Sequence, residues 1–217
     1  MIVAGMNGFS QDRFIAGLLP KLNVSTRVSG DVKLTANVES RHAFYERIQT
    51  GDDVFEHSYR QLEASAIISV KTRVNQSLSG GYTFIERPGV DQHRLLQQYS
   101  IVSSFDAFRL GHRFASDQTF WDDNLEIRAR YRITFEKPLA GDRVDPKEFY
   151  FKSNNEYLLS FEDNSSDLEI RLQALLGYEF NSATGIEFGP GYRVKDFSGK
   201  GIDQAIWFSL NWYFSVN

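Results

Sequence analysis

The chain has 217 residues, 41% hydrophobic and 14% aromatic, with 18 Phe and 10 Tyr against 5 Pro, too apolar and aromatic for a disordered segment. Its formal charge of -4, from 24 basic and 28 acidic residues, argues against a nucleic-acid partner. With no cysteine, disulfides, thiolate nucleophiles, zinc–thiolate sites and iron–sulfur clusters are excluded. No run approaches the roughly 18 apolar residues of a membrane-spanning helix, and Met1–Gly5 is too short for a signal-peptide core. The chain therefore reads either as cytoplasmic or as a mature chain whose signal has been removed.

Residues 1–13 are ambiguous, as a strand or a plug. Beyond them the chain alternates. From Val32 the even positions carry Val, Leu, Ala and Val, and the odd ones Lys, Thr, Asn, Glu39 and Arg41. Leu62, Ala64, Ala66, Ile68 and Val70 oppose Glu63, Ser65 and Lys71. Leu125, Ile127, Tyr131, Ile133 and Phe135 oppose Glu126, Arg128, Arg130, Arg132 and Glu136. Leu168, Ile170, Leu172, Leu176, Tyr178 and Phe180 oppose Glu169, Arg171 and Glu179, and Ile206, Phe208, Leu210, Trp212 and Phe214 close the series. A period of two with one apolar face is a β-strand. Turn clusters separate eleven strands, at about 14–28, 32–45, 56–72, 76–87, 91–103, 107–117, 124–138, 148–162, 167–181, 184–197 and 203–216. No helix and no linker is legible, so residues 1–217 read as one domain.

Two architectures can use these strands. A soluble barrel or sandwich buries the apolar face, whereas an outer-membrane barrel turns it to lipid and fills its lumen with the polar face. Strand length favours the second, since many runs span 12–15 residues against about 5–6 in ordinary sheets. Aromatics cluster near the ends of the apolar stripes: Tyr131, Phe135, Phe149, Phe151, Tyr157, Phe161, Tyr178, Phe180, Trp212 and Phe214, as in an interfacial girdle. The opposite face carries both signs of charge. Glu39, Arg41, Glu63, Arg109, Arg113, Glu126, Arg128, Arg130, Arg132, Glu136, Lys152, Glu156, Glu169, Arg171, Glu179, Glu187 and Arg193 are expected to form a lumenal network with balanced charge. The fold class is thus all-β, an antiparallel up-and-down transmembrane barrel with a charged lumen. Single-chain barrels favour an even strand number, so twelve strands are expected, the twelfth within residues 1–11; ten is the alternative. Connections at 46–55, 87–91, 117–123, 163–167 and 198–201 should lie at one end. Those at 29–31, 73–76, 103–106 and 181–184 should lie at the other, with 139–147 long for its place.

Chemistry-bearing clusters are sparse. His112 falls on the outer face and Ser100 on the preceding strand, but no oriented triad is legible. His93 begins a strand beside Arg94 and reads as interfacial. His42 and His57 are expected to be neighbours, two ligands short of a zinc site. Acidic turn pairs (Asp52-Asp53, Asp122-Asp123, Asp163 and Asp167) lack calcium-loop spacing. Gly185, Gly189 and Gly191 are expected to leave room for bulky neighbours such as Trp207 and Tyr213. No catalytic residue, metal site or cofactor is predicted.

Several short signatures occur in order. They are Arg41, His93-Arg94-Leu95, Arg109-Leu110-Gly111-His112-Arg113-Phe114, Leu125 to Tyr131, Asn155-Glu156-Tyr157, Leu176 to Phe180, Gly191-Tyr192-Arg193 and Trp212-Tyr213-Phe214. Together they resemble the small outer-membrane β-barrel proteins of Gram-negative bacteria catalogued only as a domain of unknown function. The resemblance implies an outer-membrane location and a barrel, and supplies no mechanism. The expected function is a non-enzymatic barrel with a filled lumen, structural or accessory to an outer-membrane complex. The alternatives are a narrow channel for small solutes or ions, and a membrane-embedded lipid hydrolase. Expected partners are membrane lipid, lipopolysaccharide and another outer-membrane protein.

Overall fold

A computed structural model describes residues 13–47, 53–163, 165–195, 197 and 202–216. The expected strand or plug in residues 1–11 and the turn at 198–201 lie outside them, as do Asp52 and the start of the ambiguous segment. The described chain is all strand and turn: β1 (Arg13–Ser29), β2 (Val32–Arg47), β3 (Asp53–Val54), β4 (Ser58–Arg73), β5 (Gln76–Arg87), β6 (Val90–Ser104), β7 (Arg109–Trp121), β8 (Asn124–Pro138), β9 (Phe149–Glu162), β10 (Ser165–Asn181), β11 (Thr184–Lys195) and β12 (Asp203–Val216). The eleven long strands are those read from the alternation, each antiparallel to its sequence neighbour. Two-residue β3 only edges the end of β2, through Glu46↔Val54 and Arg47↔Asp53.

The ring closes through β1 and β12, which run parallel from Arg13↔Asp203 to Thr26↔Val216. An odd number of alternating strands leaves its first and last pointing the same way, so among the described residues closure is a parallel seam. The connections divide between the two ends as the hairpin order requires. The long 139–148 segment is anchored, with Lys147 N–H donating to Glu179 O (2.6 Å) and Glu179 N–H to Glu148 O (3.0 Å).

Side-chain polarity is inverted relative to a soluble barrel. Outside, Leu22, Phe208 and Ile68 are 44%, 44% and 54% exposed; inside, Asp117 is 0% and Glu156 1% exposed. The alternation fixes this, because register leaves each strand one inward and one outward set. The cluster of buried apolar residues, Leu19, Ala43 and Trp207 with Ile15 and Ala205 against it, sits inside the seam across β12, β1 and β2. Gly17 makes room there, since a Cβ would lie 2.1 Å from His42 O and 2.5 Å from the Trp207 ring. Gly177 does the same for Tyr150, whose ring atoms would lie 2.1 Å from a Cβ. The expected pocketing of Trp207 by Gly185, Gly189 and Gly191 is therefore corrected. Gly185 abuts the Glu179 carboxylate, Gly189 (φ 155°) the carbonyl of Ala174, and Gly191 only backbone of Trp207.

Aromatic residues gather towards both ends of the wall. Tyr178 contacts both Phe149 and Phe180, Phe108 meets Phe135, and Trp212 stacks on Phe214 at 5.6 Å. Phe151, 37% exposed, lies near the same end on β9, and Phe161, 46% exposed, near the opposite end. Tyr131 and Tyr157 depart from a girdle position. They are paired in register midway along β8 and β9, where Tyr131 contacts Phe114.

Candidate functional site

The lumen is one cavity of about 1230 Å³, reaching from Arg109, Glu136 and Tyr213 at one end to Glu162 and Asp203 at the other. It follows from the inward parity of every strand. Of the seventeen charged residues expected in it, all but Glu179 line the cavity. Glu179 sits instead beside Gly185 and the 139–148 segment.

Two buried carboxylates organise the middle. Asp117 accepts from Arg128 Nη2 (2.5 Å) and Arg130 Nη1 (3.1 Å), with Arg94 Nε at 3.7 Å. Glu156 accepts from Arg113 (2.8 Å), Arg132 (3.0 Å) and Arg130 (3.1 Å), with Arg171 at 3.5 Å. Arg130 thus bridges the two. Glu169 holds Arg171 through two hydrogen bonds, of 2.7 and 2.8 Å, a planar fork that suits a carboxylate. Glu63 lies 3.4 Å from Arg94 and 3.9 Å from Arg41; Glu39 lies 3.4 Å from Lys21 and 3.6 Å from Arg41. Glu126 lies 3.7 Å from Arg128, Arg109 pairs with Glu136 at 3.0 Å, and Lys152 pairs with Glu187 at 2.7 Å. Glu187 also accepts from Tyr150 (2.9 Å) and Tyr213 (2.8 Å).

Charge balance is where the lumen departs from expectation. Fifteen basic and ten acidic side chains line the cavity, although the whole chain is net acidic. Much of the acidic excess sits in turns, as at Asp122, Asp123, Asp142, Asp145 and Asp163.

Two central residues escape sequence reasoning. The sequence reading ends this strand at 117 and starts a connection there, but β7 continues to Trp121 and turns at Asp122 (φ 47°). Asp117 shares parity with Arg109 and Arg113, the one signal that points to it. Arg94, noted in the sequence only as the neighbour of His93, is buried and donates to Thr119 Oγ1 at 3.0 Å. Arg60 is inward because the β2–β4 register shifts between Arg41 and His42, a bulge that alternation does not reveal.

The remaining candidates lie on the outer wall. His112 Nδ1 is 2.9 Å from the Tyr131 hydroxyl, and His93 Nδ1 is 2.5 Å from that of Tyr82. Ser100 is paired in register with inward Arg113, whereas His112, one residue earlier on β7, has the opposite parity and meets outward Tyr131. His42 Nδ1 lies 3.0 Å from His57 Nε2, and its other ring nitrogen 2.7 Å from Ser40 Oγ. Among the described residues no group of three or more His, Cys, Asp or Glu is arranged to hold a metal.

Residues 16–204 match a family described as protein of unknown function (DUF2490), and the chain belongs to it. This agrees with the resemblance drawn from its ordered motifs. No curated protein and no solved structure matches the chain.

Proposed function

We propose that the protein is a barrel of the bacterial outer membrane, its lumen filled by paired charged side chains, with a structural or accessory role and no catalysis of its own. The observation that carries this reading is the inversion of polarity around a closed sheet. Soluble monomers rarely expose apolar patches beyond a few hundred Å², and in hydrocarbon only a closed barrel or a helix satisfies its own backbone. Lipid and lipopolysaccharide are then its first partners, at the apolar wall. The accessory role is supported by polar side chains on the outer wall. Gln97 and Gln118 exchange two hydrogen bonds, of 3.1 and 3.2 Å, on a wall that is mostly apolar. Such groups are costly against lipid and suit another protein. The absence of a catalytic role is supported by the opposite parity of Ser100 and His112.

The test is fractionation. The protein should travel with the outer membrane and migrate differently before and after heating. Recovery as a stable soluble monomer without detergent would overturn the reading. A second reading, a narrow channel, is favoured by a cavity that extends from end to end; steady conductance in planar bilayers would establish it in place of the filled lumen.

A further inference from the structure

Inward charges on five successive strands form one row. Arg113 on β7 is in register with Arg132 on β8, Arg132 with Glu156 on β9, Glu156 with Arg171 on β10, and Arg171 with Arg193 on β11. Like charges directly opposite on neighbouring strands repel, and Arg113 and Arg132 are such a pair. One carboxylate, Glu156, serves both, along with Arg130 and Arg171. A carboxylate offers about four lone-pair sites, so Glu156 is saturated. Arg130 has a second carboxylate in Asp117, and Arg171 in Glu169. Among the described residues, Arg113 and Arg132 have no carboxylate but Glu156 within 4.0 Å. The buried Nε–H groups of Arg130 and Arg132 have no hydrogen-bond partner. Both Arg113 and Arg132 keep 29% of their side chains open to the cavity.

We propose that Arg113 and Arg132, backed by Arg130, form a binding site inside the lumen for a small free oxyanion of the phosphate type. Guanidinium forks match such an anion in shape, and the side chains of Arg113 and Arg132 are part-open to the cavity. The cavity is lined by fifteen basic side chains against eleven acidic ones once the buried Asp117 is counted with the lining, so positive charge is left over for an anion to neutralise. The site depends on the barrel's interior alone and stands wherever the barrel resides.

The experiment uses the full chain, folded in mild detergent, titrated with inorganic phosphate while sodium chloride holds the ionic strength constant. Melting temperature and titration calorimetry are both read. Saturable phosphate binding with a rising melting temperature is expected, with no such response to chloride. Arg113→Gln combined with Arg132→Gln should weaken binding about tenfold or more. Glu156→Gln separates a ligand site from a merely structural cluster. Removing the competing carboxylate should lower the melting temperature without phosphate, yet tighten phosphate binding several-fold. The proposal is overturned if wild type shows no phosphate-specific response, or if Glu156→Gln binds no better. Equal binding by a folded double variant also overturns it, and a water-soluble lipid phosphate binding more tightly than inorganic phosphate would remove the free solute as ligand. Should the double variant fail to fold, wild type and Glu156→Gln decide.

Discussion

Asp117 has no exposed surface and holds Arg128 and Arg130, with Arg94 close by. Removing one partner from a buried ion-pair network leaves charge uncompensated, at a typical cost of about 3–5 kcal/mol. Asp117→Asn, which strips three arginines at once, should reach that range in equilibrium unfolding from detergent. Arg130→Ala should cost less, since Asp117 keeps Arg128 and Glu156 keeps three arginines. Lys147→Ala, in the 139–148 connection, should leave the melting temperature in place. Equal losses for Asp117→Asn and Arg130→Ala would mean that the carboxylate is not the organising centre. Residue identity made most of this lumen legible, because a charge at every second position has only one side to face. Asp117 and Arg94 were illegible for a single reason: each lies within three residues of a strand end as read from the sequence, where the alternation is too short to fix a face. Nor does composition reveal that the lumen's sign opposes that of the chain, since it pools rims with interior.

At the scale of elements, β9 and β10 show how an inward aromatic is seated. Tyr150 lies flat over Gly177 and donates to Glu187. Gly177→Ala drives a methyl into the ring, and overpacking of this kind costs about 1–3 kcal/mol. Tyr150→Phe keeps the packing and leaves Glu187 with Lys152 and Tyr213, a loss of about 0.5–1.5 kcal/mol. Thermal unfolding of the two variants should rank them in that order. The small β3 depends on a different device. The Tyr45 hydroxyl (2.8 Å), then the Arg47 guanidinium (3.0 Å), hold the Asp53 carboxyl below its ordinary range. A carboxyl lowered on folding stabilises the contact above its unfolded value of about 4, and that contribution is lost as pH falls through the lowered value. Amide exchange at Val54, taken relative to its intrinsic rate at each pH, should therefore be flat between pH 7 and 5 and quicken in stronger acid, with Asp53→Asn abolishing the transition. Quickening already at pH 6 would assign the contact to another group. Strand existence was readable here from alternation alone; β3 was not, because two residues carry no period.

The molecule as a whole joins an interior lined by fifteen basic and ten acidic side chains to a mostly apolar outer wall. On the reading proposed above, wild-type protein in planar bilayers should conduct little, because arginine and glutamate side chains project into a cavity of about 1230 Å³. Large, steady openings would contradict it. Purification under mild detergent should retain a companion protein in fixed ratio, and Gln97→Leu with Gln118→Leu should release it without altering the melting temperature. Retention by the double variant would place the contact elsewhere. Fold class was open to sequence reading since inversion needs only polarity and length. The manner of closure was not, because strand order within a ring is a property of pairing between the chain's extremes.

The parallel seam has a consequence best put as a colouring problem. Strands drawn as up or down around a ring take two colours, and a ring of odd number cannot be coloured so that neighbours always differ. One like-coloured boundary is forced, and here it falls between residues 13–26 and 203–216, the two most distant stretches of described sequence. Adding or deleting a whole hairpin preserves that boundary, whereas adding or deleting one strand abolishes it, so the architecture can grow and shrink only in steps of two without changing its closure. The same boundary sets the order of assembly. Every other long-strand interface joins sequence neighbours and can form as they emerge, while this one waits for the last strand. The late contact is also the weaker kind, parallel pairing being slightly less stable per residue, and Trp207 against Gly17 is the packing that latches it from within.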